Sequence, residues 1–266
     1  MQVMGVVNVT PDSFSDGGRY LDAAAALAHA RRLVAEGADW IDVGGESTRP
    51  RAEPVPEAEE LRRVLPVVEA LAADGVAVSI DTRKSEVAGA AVAAGARMVN
   101  DVTARLAPVA AASGAAFVAM HMQGDPATMQ DEPRYDDVVA EVRDYLVARA
   151  EAATAAGVPE VWIDPGIGFG KTLDHNLALL AHLDTLVATG YPVLIGTSRK
   201  AMLGTLAARA EPGGAGSVPP PADRLEGSLA TAVWAQLAGA AMVRVHDVAA
   251  SRRARDAVEV VAARAA

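Results

Sequence analysis

Eight short apolar segments recur along the chain, and a stretch with helical periodicity follows each of them. The segments are continuously apolar and rich in β-branched residues, which is typical of parallel strands that are covered on both faces. The pattern therefore predicts eight parallel strands, at residues 3–8, 40–44, 76–81, 98–101, 116–121, 161–164, 192–197 and 241–246.

The helical stretches complete eight strand–helix units. They are predicted at residues 22–36, 56–73, 84–94, 106–113, 136–156, 174–189, 223–239 and 249–265, and several end at a glycine. Eight units favour a (β/α)8 TIM barrel, an α/β fold, formed by residues 1–266 as one domain. A doubly wound open sheet is the alternative, because the number of units does not establish closure. The Pro- and Gly-rich segment 211–222 is predicted to be a flexible loop within that domain.

Composition narrows the classes of function. The chain has 34 acidic and 24 basic side chains and a net charge of -10, which argues against a nucleic-acid partner and leaves few cations to bind an anionic ligand. With no cysteine, disulfides, thiolate metal sites and thiol catalysis are excluded, which fits a cytoplasmic enzyme.

The longest uncharged stretch, 106–124, contains Pro, Gly and His and is interpreted as a helix, a turn and a strand, not a membrane span. No signal peptide is visible.

Polar side chains stand at the carboxyl end of every predicted strand, where the active site of a (β/α)8 barrel forms. Any one of them could simply cap the next helix, but capping does not require a polar residue after all eight strands. The residues are Asn8, Glu46, Asp81, Asn100, Asp101, His121, Asp164, Thr197, Ser198, Arg244 and His246.

Cations near the last two strands favour a phosphate or diphosphate ligand. Arg244 and His246 are two residues apart on a predicted strand, so their side chains point to the same side and could both donate to a phosphate. The alternative, an arginine paired with a carboxylate and a histidine bonded within the core, stays open. Lys200 is one of three lysines in the chain, and it is expected to face the pocket in preference to Arg199.

The glycine-rich segment 164–172 fits neither of the common nucleotide motifs. Gly166 and Gly170 enclose three residues where a Walker A loop needs four, and the spacing also fails the dinucleotide pattern. We interpret it as a turn that lets a flat ligand approach the backbone, with Asp164 accepting hydrogen bonds and Phe169 in apolar contact. No metal-binding motif is present, so a divalent ion would be Mg²⁺ carried by substrate phosphates and touching Asn8.

The segments 8–18, 42–50, 79–82, 99–101, 120–122, 164–171, 198–200 and 244–246 resemble, in the same order, the motifs of bacterial dihydropteroate synthase. The resemblance implies a pterin-binding barrel that joins p-aminobenzoate to 6-hydroxymethyl-7,8-dihydropterin diphosphate, giving 7,8-dihydropteroate and diphosphate for folate synthesis. It also implies Mg²⁺, a homodimer and competition by sulfonamides. One departure is the run 103–106, where a Ser-Gly-like pair is expected.

Carried over position by position, the resemblance implies roles for individual residues. Asn8 would meet Mg²⁺, and Asp81, Lys200, Arg244 and His246 would be catalytic, the last two gripping the diphosphate. Two mobile loops would close over p-aminobenzoate. The residues implied for the pterin are Thr48, Asp81, Asn100, Met120, Asp164, Gly168, Phe169 and Lys200, and those for the loops are Asp12, Phe14, Ser15 and Arg49.

Two other functions remain possible on the sequence alone. A catalytically silent relative would keep the pterin pocket, and a pterin methyltransferase that serves corrinoid proteins would share the ring-binding residues. Neither would release diphosphate from the two substrates.

Overall fold

Eight parallel strands form a closed barrel. The computed structural model describes residues 1–10, 19–47, 53–126, 128–211 and 216–265. The strands pair in the order β6-β5-β4-β3-β2-β1-β8-β7, and a parallel bridge between Ile163 and Val193 joins the two ends, which excludes the doubly wound alternative. The strands are β1 Gln2–Asn8, β2 Trp40–Gly44, β3 Val78–Asp81, β4 Met98–Asp101, β5 Ala116–Met120, β6 Val161–Asp164, β7 Leu194–Ile195 and β8 Met242–Val245.

Helices pack around the outside of this barrel. Their apolar sides and the outward side chains of the strands form one large buried core. In the described ranges no helix is both long and apolar enough to cross a bilayer. The helices are α1 Arg19–Ala35, α2 Glu57–Ala73, α3 Ser85–Ala93, α4 Ala107–Ser113, α5 Val138–Ala155, α6 Leu173–Ala181, α7 Leu183–Val187, α8 Ala201–Ala210, α9 Leu225–Leu237 and α10 Val248–Ala265.

The barrel interior is arranged in two layers. The lower layer is apolar and buried, and includes Met98 on β4, Trp162 on β6 and Met242 on β8. Because side chains alternate along a strand, the next inward positions are two residues further on, and on these three strands they are Asn100, Asp164 and Arg244. The apolar layer thus forms the floor of a polar mouth at the carboxyl ends of the strands.

Two predicted elements differ from the structure, and one helix was not predicted. The predicted helix 174–189 is broken at His182, where the indole N–H of Trp234 donates to the backbone oxygen of Leu180 at 2.7 Å. The predicted strand 192–197 keeps only Leu194–Ile195, and α8, which the sequence did not predict, follows it. The interpretation of residues 106–124 as helix, turn and strand is confirmed by α4, Gly114 and β5.

Of the segment predicted as a loop at 211–222, the structure describes residue 211 and residues 216–222. There the chain is without regular structure as far as a 3-10 turn at Pro221–Asp223, and most of its side chains are exposed.

Candidate active site

One arginine lies between two carboxylates inside the barrel. The Nε of Arg244 on β8 donates to Oδ2 of Asp42 at 2.6 Å, and its Nη2 donates to Oδ2 of Asp81 at 2.8 Å. Strand β8 neighbours neither β2 nor β3, so these bonds cross the interior. The alternative pairing with a carboxylate that the sequence left open is therefore present, while 23% of the Arg244 side chain is exposed.

Burial and charge act in opposite directions on this group. Burial raises the pKa of Asp81, and the neighbouring guanidinium of Arg244 opposes that rise. Burial disfavours the charged form of Arg244, but the carboxylates of Asp42 and Asp81 raise its pKa above the ordinary value. Arg244 therefore stays a cation, and the carboxyl of Asp81 is held close to it.

A second group surrounds the glycine-rich turn after β6. Oδ1 of Asp164 accepts from the backbone N–H of Gly166 at 2.7 Å. Lys200 Nζ donates to the backbone oxygen of Ile167 and lies 4.8 Å from the centre of the Phe169 ring. Burial lowers the pKa of Lys200 to about 8, although Asp164 opposes this shift. Burial also raises the pKa of Asp164, against the charge of Lys200.

Glycines bring the two groups together. A Cβ on Gly196 would lie 3.8 Å from both Arg244 Cβ and Lys200 Nζ, so these cations flank the same short stretch of backbone. A Cβ on Gly44 would lie 3.5 Å from Asp81 Cβ and 3.6 Å from Oδ1 of Asn8. Both groups therefore lie at one mouth of the barrel.

The residues around His246 form a third contact region. Nδ1 of His246 is 3.0 Å from the hydroxyl of Ser198, which also accepts from the backbone N–H of His246. Arg199 turns away and forms an ion pair with Asp247, so Lys200 and not Arg199 reaches the glycine-rich turn, as expected.

Lys171 and His121 form a buried pair beneath the glycine-rich turn. Lys171 Nζ lies 2.9 Å from Nδ1 of His121 and donates to the backbone oxygens of Gly166 and Phe169 at 3.1 and 3.0 Å. Burial lowers the pKa of Lys171 to about 7 and, together with the charge of Lys171, lowers that of His121 to about 3. The lysine that follows the glycines thus holds the turn in place instead of meeting a nucleotide phosphate.

An ion-pair network supports the chain after β2. Lys84 forms ion pairs with Glu46 and with the buried Glu60, and Glu60 also accepts from the hydroxyl of Thr82 at 2.7 Å. Against the effect of burial, the two carboxylates raise the pKa of Lys84. The network fixes Glu46 just before the segment 48–52, which lies outside the described residues.

The structure brings most of the predicted site residues to this one mouth. Met120 is the register partner of Asp164 on the neighbouring strand. Gly168 lies close to Lys200, since a Cβ added at Gly168 would be 3.3 Å from Cδ of the lysine. Asp101 instead caps the turn after β4, accepting from three backbone N–H groups, so its role is structural. The predictions for Asp12, Phe14, Ser15, Thr48 and Arg49 fall outside the described residues.

Some residues of the mouth were not predicted from the sequence. Asp42 could have been found from the sequence, since it is a charged residue inside an apolar strand segment. Lys84 and Lys171 are two of only three lysines, and all three lie at this end of the barrel. Among the described residues there is no group of three His, Cys, Asp or Glu side chains that could hold a metal ion.

Fold and site define a (β/α)8 barrel with a polar, charged mouth at the carboxyl ends of its strands. Residues 4–246 match the family described as pterin binding enzyme, and the chain belongs to this family.

Its relatives in this family are dihydropteroate synthases. The chain is 51% identical to the dihydropteroate synthase of Mycobacterium leprae over 99% of its own length and 93% of that protein. It also resembles the crystal structure of the Yersinia pestis dihydropteroate synthase with a sulfonamide drug complex, with a TM-score of 0.89, 45% identity, and coverage of 98% and 94% of the two chains. A Xanthomonas albilineans dihydropteroate synthase in complex with 7,8-dihydropteroate gives a TM-score of 0.86 at 47% identity, with coverage of 98% and 94%.

Proposed function

We propose that this chain is a dihydropteroate synthase, which condenses 6-hydroxymethyl-7,8-dihydropterin diphosphate with p-aminobenzoate. Membership of the pterin-binding family supports this function, as does 51% identity to a dihydropteroate synthase over nearly the whole chain. The observation that carries the proposal is the clustering of Asp81, Asn100, Asp164, Lys200 and Arg244 at one barrel mouth.

The oxygens at this mouth suit the donor groups of a pterin. In our proposal Asp81, Asn100 and Asp164 accept hydrogen bonds from the ring nitrogens and the amino group, and Lys200 donates to a ring acceptor. Met120, Gly168 and Phe169 contact the flat faces of the ring. The proposed specificity follows from the number of acceptors, because a heterocycle without donors would leave these buried groups unpaired.

The reaction exchanges one bond for another at the pterin methylene carbon. The bond from this carbon to the diphosphate oxygen breaks, and its electron pair leaves with the diphosphate. A bond from the carbon to the amino nitrogen of p-aminobenzoate forms, and that nitrogen loses one proton. In our proposal Asp81 opposes the positive charge that develops on the pterin, and His246 and Nη1 of Arg244 donate to the departing diphosphate.

Magnesium is the metal that this proposal includes. Asn8 has one side-chain amide oxygen, which faces Gly44: a Cβ added at Gly44 would lie 3.6 Å from it. In the described part of the chain no group of three acidic or histidine side chains could hold a metal ion. Such a donor set fits an ion that keeps most of its water and phosphate ligands. When bound, Mg²⁺ would neutralise charge on the diphosphate.

The test is diphosphate release by the purified chain given both substrates and Mg²⁺. We expect release that depends on p-aminobenzoate, and we expect Asp81→Asn and Arg244→Ala to lower kcat/KM by at least about a hundredfold. Pterin binding without release would indicate the silent relative. Methyl transfer to a corrinoid protein without diphosphate release would indicate the methyltransferase. Either result would overturn the proposal.

We also propose that the protein is a homodimer in the cytoplasm. Trp234 and Leu237 on α9 and Val260 and Val261 on α10 are 53–70% exposed. The two helices lie side by side, with the side chain of Gln236 donating to a backbone oxygen of α10 at 3.2 Å. Exposed apolar side chains on two adjacent helices support an interface at this surface. The cytoplasmic location is supported by the cysteine-free composition.

A further inference from the structure

Asp42 connects two residues of the proposed pterin pocket without lying at its surface. Its side chain is completely buried. Oδ2 accepts from Nδ2 of Asn100 at 3.1 Å and from Nε of Arg244 at 2.6 Å. We propose that Asp42 is a positioning residue for pterin recognition, which orients the carboxamide of Asn100 and the guanidinium of Arg244. The inference rests on the proposed function and adds a residue to it.

The first effect concerns the direction of the Asn100 carboxamide. An asparagine side chain can present either its NH2 group or its oxygen to a ligand, and the two orientations have nearly the same shape. A carboxylate only accepts hydrogen bonds, so Asp42 binds the NH2 group and leaves Oδ1 of Asn100 for the ligand. The pocket then has three acceptors, from Asp81, Asn100 and Asp164, to match the donors along one edge of an amino-substituted heterocycle.

The second effect concerns the availability of Asp81. Arg244 bonds to both Asp42 and Asp81, so the guanidinium charge is shared between two carboxylates. Without the carboxylate of Asp42, Arg244 would pair with Asp81 alone. That pairing would compete with the ring for the same oxygens and would raise the cost of binding the pterin.

Stability alone does not explain the presence of Asp42. Its second oxygen, Oδ1, is buried and has no hydrogen-bond partner in the described structure, and the same is true of the hydroxyl of Ser79. Asp42 and Ser79 are register partners on β2 and β3, so both unpaired atoms belong to the same part of the barrel interior. A buried carboxylate oxygen without a partner is destabilising, so a contribution to stability does not account for Asp42, whereas its bonds to Asn100 and Arg244 connect it to the pocket.

The chain offers a matched pair of variants for the test. Asp42→Asn keeps the size of the side chain but removes the carboxylate, and Ser79→Ala alters the neighbouring buried position without touching Asn100 or Arg244. The measurements are the dissociation constant of 6-hydroxymethyl-7,8-dihydropterin diphosphate by calorimetry, the KM for each substrate, and the thermal midpoint. Asp42→Ser, a smaller side chain with room for water, is the second substitution at this position.

We expect Asp42→Asn to weaken pterin binding by roughly ten- to thirtyfold and to leave the KM for p-aminobenzoate within about twofold. Ser79→Ala should leave both constants unchanged. Combining Asp42→Asn with Asn100→Ala should cost less than the product of the two separate losses, because Asp42 acts in part through Asn100.

Several results would overturn the assignment. They are unchanged pterin affinity in a folded Asp42 variant, equal weakening for both substrates, strictly multiplicative effects with Asn100→Ala, and failure of both Asp42 variants to fold, which would make the role structural. Failure of the unsubstituted chain to bind the pterin would instead contradict the proposed function itself.

Discussion

Lys200 is the residue whose chemistry depends most on its surroundings. Its ammonium group lies between the backbone oxygen of Ile167 and the ring of Phe169, with Asp164 and Arg244 acting on its charge. Burial lowers its pKa to about 8, whereas the pKa of Lys84 is raised by Glu46 and Glu60. The amino group of Lys200 is therefore deprotonated at a lower pH than that of Lys84.

This contrast can be measured directly because the chain has only three lysines. We expect an amine acylating reagent to label Lys200 with a rate that reaches half its maximum near pH 8. Lys84 should label slowly at that pH, because its two carboxylates keep it protonated. Peptide mass spectrometry at several pH values gives both rates, with Lys200→Met as the control. Faster labelling of Lys84 would contradict the prediction.

His121 makes the stability of the protein sensitive to acid. Its pKa falls from the ordinary value of 6.5 to about 3 in the folded state, first because of burial and then because of Lys171. The unfolded chain therefore binds a proton on His121 between these two pH values and the folded chain does not. Stability from this residue is complete above pH 6.5 and is lost as the pH falls towards 3.

We expect this histidine to cost about 1.4 kcal/mol of unfolding free energy for each pH unit below 6.5. His121→Asn keeps an acceptor for Lys171 but does not titrate in this range, so its denaturant midpoint should fall less between pH 7 and pH 5. If both proteins lose stability equally over this interval, other groups govern the acid response.

At the scale of elements, the turn after β4 contains a strained residue. Ala104 has a φ of 52°, in the left-handed region that favours glycine, and it lies in the run 103–106 where the sequence departs from the Ser-Gly-like pair expected of the family. The carboxylate of Asp101 holds this turn by accepting from the backbone N–H groups of Thr103, Arg105 and Leu106.

Replacing this alanine by glycine should stabilise the protein. Relief of the left-handed strain exceeds the extra entropy that glycine loses on folding, so we expect Ala104→Gly to add about 0.5–1 kcal/mol to the unfolding free energy. Thermal and denaturant unfolding measure this gain. A loss of stability would show that the hydrogen bonds to Asp101 tolerate the alanine without strain.

The glycine-rich turn after β6 has a different constraint, which is space. Gly166 has a φ of +64°, and a Cβ there would lie 1.9 Å from the backbone oxygen of His121. Gly157 is also left-handed, with a φ of +95°, but a Cβ there would meet nothing within 4 Å. The two positions therefore separate the cost of conformation from the cost of close contact.

We expect Gly157→Ala to lower stability by about 1 kcal/mol and to leave pterin binding unchanged. Gly166→Ala should lower stability by several kcal/mol and weaken pterin binding, because the backbone must move and the turn carries the contacts of Lys200. Calorimetric binding and denaturant unfolding of both variants test this. Similar behaviour of the two variants would mean that the turn can shift without affecting the site.

At the scale of the whole molecule, the exposed apolar side chains of α9 and α10 mark the surface where we propose that a second copy of the chain binds. Leu237 and Val261 on these helices are 67% and 70% exposed. A second copy of the chain, packed against these helices, would bury them. In the proposed homodimer the interface would lie on the outer helices, so each barrel would keep its own mouth.

This leads to a prediction about assembly. We expect the unsubstituted protein to sediment as a dimer and the double variant Leu237→Glu, Val261→Glu to sediment as a monomer, because a buried interface does not accept unpaired carboxylates. Val218→Glu is the matched control, since Val218 is 57% exposed and lies outside these two helices. A monomeric unsubstituted protein would contradict the proposed homodimer.

The sequence by itself determined the eight strand–helix units and the end of the sheet that carries the chemistry, and the structure showed that the sheet closes into a barrel. Continuously apolar strand segments must be covered on both faces, and the polar residues that follow them, such as Asp164 and Lys200, must then meet at one rim. These are consequences of local pattern and chain order. The resemblance to the family motifs, which occur in the same order, then implied that the ligand is a pterin diphosphate.

Only the tertiary structure decided how the polar side chains pair. The contact of Arg244 with Asp42 joins residues 202 positions apart across the barrel interior, and that of Lys171 with His121 joins residues 50 apart. No local pattern encodes these contacts, because they depend on the closure of the barrel and on which side chains its interior can hold. For the same reason the sequence did not reveal Asp42 as a central residue, although its charge within an apolar strand marked it.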